Sequence, residues 1–198
     1  MELIFATNNR HKLQEISALL DKRFTLLGLW ELDAAEDIPE DHDTLEENAS
    51  QKAWHIYRKF KRNCFADDTG LEVDALNGAP GVYSARYSRI GTLTFPDMEP
   101  APGNIKKLLL EIKGIRERKA RFRTVIALVL NGKEYRFEGT VDGVITEHPA
   151  GVKGFGYDPI FKPEGYTKTF AEMELELKNR ISHRGRAVRQ FIHFLNQV

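Results

Sequence analysis

Apolar residues recur along this chain with two periods, and the breaks between them mark the elements. Leu3-Ile-Phe-Ala6 predicts a short buried strand, which leads through a polar turn, Thr7 to Lys12, into a helix with Leu13, Ile16, Leu19 and Leu20 on one face. Phe24 to Trp30 predicts a second strand, and an acidic loop follows from Asp33 to Asp43. Thr44-Leu-Glu-Glu47 is a capping box, in which hydroxyl and glutamate satisfy each other's orphan amides, so a helix starts there. Its apolar stripe is Leu45, Ala49, Ala53, Ile56 and Phe60. Asn48 and Lys52, four apart on another face, either line a cleft or meet water.

Cys64-Phe-Ala66 predicts the tail of a buried strand, and Leu71, Val73 and Ala75, alternating with Glu72 and Asp74, predict a half-exposed one. Asp67 and Asp68 stand between them. Neighbouring side chains on an extended backbone point to opposite sides, so the two acids are expected to do different work. Asp-Asp-Thr-Gly is compatible with a simple capped turn. It is also compatible with a carboxylate at the carboxyl end of a strand, where α/β sheets bind ligands and oxygen donors suit Mg²⁺ carried on a phosphate.

Further along, Asn77-Gly-Ala-Pro-Gly81 is turn chemistry, and Arg89 to Gly103, with three prolines and no periodicity, reads as a mobile loop. Asn104 is expected to cap a helix from Ile105 to Lys113 that stops at Gly114. Phe122 to Leu130 and Glu134 to Val141, joined by Asn131-Gly132, predict a tight hairpin. Gly151 to Phe161 sets glycines among aromatics, which lets backbone approach a flat ligand and offers a ring to stack on it. Two closing helices are expected, Phe170 to Ile181 and Gly185 to Asn196, with Ser182-His-Arg-Gly-Arg186 as the basic joint between them.

Charge narrows the partners. With 29 basic and 29 acidic residues the formal net charge is zero, so no global field draws the chain to nucleic acid, and any bound anion needs a local cluster. No apolar run approaches the roughly 20 residues of a spanning helix, and the first ten residues lack a signal peptide's basic start. The expectation is a cytoplasmic protein that meets no membrane. The single cysteine, Cys64, cannot form an internal disulfide and reads as a small core residue.

The remaining polar clusters are Thr7, Asn8, Asn9, Arg10, His11 and Lys12; Glu40; Lys52; Asp67 and Asp68; Phe155, Gly156, Tyr157 and Asp158; Lys178; and His183 with Arg184. They fall mostly at predicted element ends. Cations suited to polyphosphate, acids suited to Mg²⁺ and a glycine-aromatic loop suited to a base together describe a nucleotide site. Neither a Walker loop nor a Rossmann glycine fingerprint occurs after a strand.

Six ordered motifs, Thr-Asn-Asn-Arg-His-Lys at 7–12, Glu-Glu-Asn-Ala-x-x-Lys-Ala at 46–53, Ala-Asp-Asp-Thr-Gly-Leu at 66–71, Gly-Ala-Pro-Gly-x-Tyr-Ser-Ala-Arg at 78–86, Gly-Phe-Gly-Tyr-Asp-Pro-Ile-Phe at 154–161 and Lys-Asn-x-Ile-Ser-His-Arg-Gly at 178–185, closely resemble the inosine triphosphate pyrophosphatase family, the dITP/XTP diphosphatases. The resemblance covers nearly the whole chain and is weakest from Arg89 to Gly103. It implies an elongated α/β fold, one domain over residues 1–198, in which a long, mixed, twisted sheet bridges two lobes with the active cleft between them, and a homodimer. It also implies Mg²⁺-dependent hydrolysis of inosine, deoxyinosine and xanthosine triphosphates to monophosphate and pyrophosphate. By matching position, Thr7 to Lys12 with Lys52 would hold the phosphates, and Asp68 would be general base and metal carboxylate, with Glu40 its partner at the metal. Thr69 would touch the substrate, and Phe155 to Asp158, Lys178, His183 and Arg184 would form the base and sugar pocket.

Elementary chemistry agrees with that assignment. Splitting a phosphoanhydride needs charge neutralised on the leaving pyrophosphate and a water held in line, which lysines, Mg²⁺ and one carboxylate supply without a covalent intermediate. A Maf-type pyrophosphatase is the rival enzyme, and the intact Ser-His-Arg-Gly motif argues against it. The rival from another class is a silent nucleotide- or nucleic-acid-binding protein, and zero net charge with a retained acid pair argues against that.

Overall fold

The structure, a computed structural model, describes residues 1–32 and 38–198. The first five residues of the expected acidic loop, 33–37, lie outside the described residues. The α/β class is as expected. Among the described residues the elements run β1 (Glu2–Phe5), α1 (Arg10–Ser17), β2 (Thr25–Gly28), α2 (Leu45–Phe60), β3 (Cys64–Val73), β4 (Pro80–Gly81), α3 (Pro100–Glu111), β5 (Lys119–Leu130), β6 (Lys133–Ile145), β7 (Phe161–Pro163), α4 (Leu175–Ile181) and α5 (His183–Leu195), with short 3₁₀ turns between them. The strands form one mixed sheet in the order β2-β1-β3-β5-β6-β7, with β4 added on β3. β1 is parallel to β2 and β3, whereas β3–β4 and β6–β7 are antiparallel. Among the described residues no helix is long and apolar enough to cross a membrane.

The chain divides into two compact units. One comprises 1–68, 124–139 and 182–198; the other comprises 69–123 and 140–181. In the first, Leu3, Phe5, Phe65, Ile126, Leu128 and Phe137 from the strands pack with Ile16 of α1 and Val188, Phe191 and Leu195 of α5. Phe5 stacks on Phe65 with centroids 4.5 Å apart, and Phe191 lies 4.8 Å from Phe65. The second unit has its own core of Leu71, Val73, Leu108, Phe122, Val141, Ile145, Phe161 and Phe170, in which Phe122 meets Phe161 edge-on at 4.7 Å.

Several boundaries differ from expectation for identifiable reasons. Asp67 and Asp68 do not interrupt the chain: β3 runs unbroken through them for ten residues, because ion pairs satisfy both carboxylates where they are buried. The parallel ladder to β1 pairs Phe5 with Phe65 and ends there, so the acids still lie where β1 stops and turns towards α1. Helix α3 starts at Pro100 rather than Ile105, since prolines fit a first turn whose amides have no helical acceptor. Asn104 is therefore inside the helix. Its carboxamide accepts from Ser88 N at 2.7 Å and donates to Ser84 O and Ala85 O at 3.0 and 3.1 Å. The proline segment before it is tied down as well, Phe95 N donating to Ser88 O at 2.8 Å and Arg89 to Met98 O at 2.9 Å. Phe170–Glu172 is a single 3₁₀ turn with its own capping box, and helix resumes only at Leu175. The hairpin is as expected, Asn131 and Gly132 both having positive φ, 50° and 79°, as a type I′ turn requires.

Cys64 is wholly buried, its Sγ 3.2 Å from Ala53 O as donor, and burial pushes the thiol up to about 12. A thiol so far from ionising is no nucleophile at neutral pH. Cys64→Ala is therefore expected to leave turnover unchanged and to cost about 1 kcal/mol of stability, read by urea unfolding beside a pyrophosphate-release assay.

Candidate active site

The turn from β1 into α1 is held by its own side chains. Thr7 Oγ1 accepts from Asn9 N at 3.1 Å, and Asn9 Oδ1 accepts from His11 N at 3.0 Å and Lys12 N at 3.1 Å, which makes Asn9 the helix cap. Two expected phosphate binders thus shape the loop, while Asn8, Arg10 and His11 are exposed and Arg10 lies over the Trp30 ring at 5.8 Å. Lys12, on the first turn, points the other way. Its Nζ reaches Asp67 Oδ1 at 2.8 Å.

Asp67 and Asp68 are drawn to different cations, as alternation on a strand requires. Asp67, fully buried, also faces Arg184, whose Nε is 3.3 Å from Oδ2 and whose Nη1 pairs with Glu15. Asp68 Oδ1 lies 2.7 Å from Lys52 Nζ, and the same ammonium is 2.6 Å from Glu40 Oε1. Lys52 projects from α2, whose first turn is set by Thr44: its Oγ1 accepts from Glu47 N at 3.2 Å and donates to Glu47 Oε2 at 2.8 Å.

Electrostatics separates the two acids further. Burial raises Asp67, but the cations of Lys12, Arg184 and Lys52 outweigh it and hold the carboxyl at about 2. Burial also raises Asp68; Lys52 and Lys12 oppose it, Glu40 reinforces it, and the carboxyl settles above the ordinary range. Burial pulls Lys12 below its ordinary value despite Asp67, whereas for Lys52 the carboxylates of Asp68, Glu40 and Asp67 overcome burial and raise it. One acid is thus held ionised inside an ion-pair network, and the other has the higher proton affinity.

Because the folded value of Asp67 lies below its ordinary 3.8, its stabilisation is complete above that pH and is lost as pH falls towards about 2. Asp67→Asn leaves Lys12 and Arg184 without their shared acceptor, so it is expected to cost roughly 3–5 kcal/mol at pH 7. The gap between variant and wild type should narrow across that acid window. Thermal unfolding of both proteins at a series of pH values measures it, and a gap unchanged by pH would assign the loss to packing.

In the second unit, Asp158 Oδ2 accepts from Phe155 N at 2.8 Å and from Lys178 Nζ at 2.6 Å, all within the glycine-aromatic loop and α4. Lys178 Nζ lies 5.0 Å from the Phe155 ring centroid, giving a cation against an aromatic face. Gly154 is obligatory here, since a Cβ would sit 2.0 Å from Asp158 Oδ2 and φ is +73°. Tyr157 turns into the core, its hydroxyl donating to Ser84 O at 2.9 Å, and Thr69 is half-buried in β3.

His183 and Arg184 are both buried, in the first turn of α5, where Ser182 Oγ caps Gly185 N at 3.1 Å. The expected basic joint is thus helix. Two residues that the pattern of the sequence did not single out make this placement possible. Gly139 of β6 lets the helix start pass closely, because a Cβ there would lie 2.1 Å from His183 O; an isolated glycine within a strand pattern was its signal. Glu15, on α1 beside Ile16, holds Arg184 and carried no signal at all.

Asp68 and Glu40 are the residues suited to a metal. Both carboxylates converge on one ammonium, and two carboxylates are what Mg²⁺ takes from a protein when phosphates and water complete its octahedron. Among the described residues no group of three or more His, Cys, Asp or Glu forms a ready-made metal cage.

Known proteins share this architecture. The sequence model of the Ham1 family matches residues 3–194. The dITP/XTP pyrophosphatase of Flavobacterium johnsoniae is 51% identical over 195 residues, covering 98% of both chains. That of Christiangramia forsetii is 49% identical over 197 residues and covers 100% of both. A solved HAM1 protein from Coxiella burnetii superposes with a TM-score of 0.87 at 36% identity over the full length of both chains.

Proposed function

This chain belongs to the Ham1 family, and from that premise we propose that it hydrolyses deaminated purine nucleoside triphosphates, those of inosine, deoxyinosine and xanthosine, to monophosphate and pyrophosphate. The observation that carries the reading is the split of the acid pair: Asp67 neutralised by Lys12 and Arg184, Asp68 beside Lys52 and Glu40 with its carboxyl raised. With its carboxyl raised and that of Asp67 lowered, Asp68 is the stronger proton acceptor of the pair, and adjacent ammonium groups offset charge on the departing pyrophosphate.

In this reading Asp68 takes the proton from the attacking water. Lys52 and the Thr7–Lys12 turn bind phosphate oxygens, Thr69 touches the substrate, and Phe155 to Asp158 with Lys178, His183 and Arg184 serve base and sugar. Mg²⁺, held by Asp68 and Glu40, would supply charge neutralisation on the phosphates. Arg184 would serve two partners at once: a guanidinium has five donors, and here Nε and Nη1 are engaged by Asp67 and Glu15. A cytoplasmic setting and a homodimer belong to the same proposal and rest on the resemblance.

The reaction has a specific signature in its products. Inosine triphosphate incubated with the protein and Mg²⁺ should give pyrophosphate and inosine monophosphate in equal amounts by phosphorus NMR. Orthophosphate with inosine diphosphate would instead make the chain a phosphatase of the terminal group.

A further inference from the structure

We infer that Asn48 and Gln51 form a two-rung latch that positions Glu40 for the metal, an inference that rests on the proposed metal reading of Glu40. Glu40 lies in no regular element. Its segment, 38–43, precedes the α2 cap. The same helix face that carries Lys52 grips the residues just after Glu40. Asn48 Oδ1 accepts from His42 N and Asn48 Nδ2 donates to His42 O, both at 3.0 Å. One turn on, Gln51 Oε1 accepts from Asp41 N at 3.2 Å and Gln51 Nε2 donates to Asp41 Oδ2 at 3.1 Å.

Each carboxamide uses its acceptor and its donor on a single residue of the segment: Asn48 grips both backbone groups of His42, and Gln51 grips the amide and the carboxylate of Asp41. Asn48 is fully buried, which makes its rung costly to leave unpaired; the Gln51 rung is exposed and weaker. Residues 48, 51 and 52 lie three and four apart, on one face. The helix therefore carries the ammonium that gathers both carboxylates and the latch that delivers one of them. Groups that orient a metal ligand are worth about 10–100-fold in metal affinity.

Asn48 and Gln51 are thus positioning residues that act through Glu40, and a double-variant cycle tests this. Mn²⁺ alone is added to the full chain, and the free ion is followed by paramagnetic resonance for wild type, Glu40→Gln, Asn48→Ala, Gln51→Ala and Glu40→Gln/Asn48→Ala. Asn48→Ala should weaken Mn²⁺ about tenfold and Gln51→Ala less, in the same direction. Added to Glu40→Gln, Asn48→Ala should cost nothing further. The Gln51 variant carries the test if Asn48→Ala does not fold. Undiminished Mn²⁺ binding by Glu40→Gln, or none by wild type, would overturn the metal reading and the latch together. Weakening by Glu40→Gln but by neither latch variant, or losses that add in the double variant, would overturn the latch alone.

Discussion

Asp68→Asn is expected to lower kcat about a thousandfold, within the usual span for loss of a general base, while nucleotide still binds. The substitution is nearly isosteric, so it removes a proton acceptor and a charge without removing bulk, and Lys52 keeps Glu40 as a partner. Pyrophosphate release gives kcat, and calorimetry with inosine triphosphate gives Kd. Near wild-type turnover by the folded variant would exclude Asp68 as base. Lost binding with unchanged residual turnover would make it a ground-state contact.

Arg184→Met should produce the second large effect, in two separate readouts. Its guanidinium is buried between Glu15 and Asp67, so the variant takes that cation from Glu15 in the interior and leaves Asp67 to Lys12, at a cost of roughly 3–5 kcal/mol. For a chain of this size that lowers the melting temperature by roughly 10 °C. If Arg184 also reads the purine oxygen, the ratio of kcat/KM for inosine over adenosine triphosphate should fall about tenfold. A donor facing the adenine amino group costs on the order of 1–3 kcal/mol, and that discrimination would go with the guanidinium. A lower melting temperature with an unchanged ratio would leave Arg184 as the anchor of Asp67 and no more.

What the sequence made legible follows from how local each signal is. The strand-turn-helix from residue 3, the Thr44 helix cap and the Asn131-Gly132 hairpin depend on neighbours a few positions apart and stand in the structure, although α1 ends at Ser17, before Leu19 and Leu20, and the Glu47 carboxylate takes the Thr44 hydroxyl rather than its amide. The division of labour between Asp67 and Asp68 was equally local, since strand alternation alone demands it. The continuity of β3 was not, because acids inside a strand look like a turn until Lys12, Lys52 and Arg184 arrive from 55, 16 and 117 positions away. Pro100 and Pro102 misled for a related reason: proline signals a loop by composition and a helix start by position. Glu15 owes its place to Arg184, a partner in another segment that periodicity does not see.

The central claim, hydrolysis selective for deaminated purines, meets its most direct test in a pyrophosphate-release assay with Mg²⁺. Inosine, deoxyinosine, xanthosine, adenosine, guanosine, cytidine and uridine triphosphates are compared by kcat/KM. Inosine, deoxyinosine and xanthosine should stand above the other four by at least about tenfold, the least that one buried polar mismatch supplies. A preference for adenosine, guanosine or a pyrimidine would contradict the account, and no release from any of the seven would make the chain a binding protein on this fold.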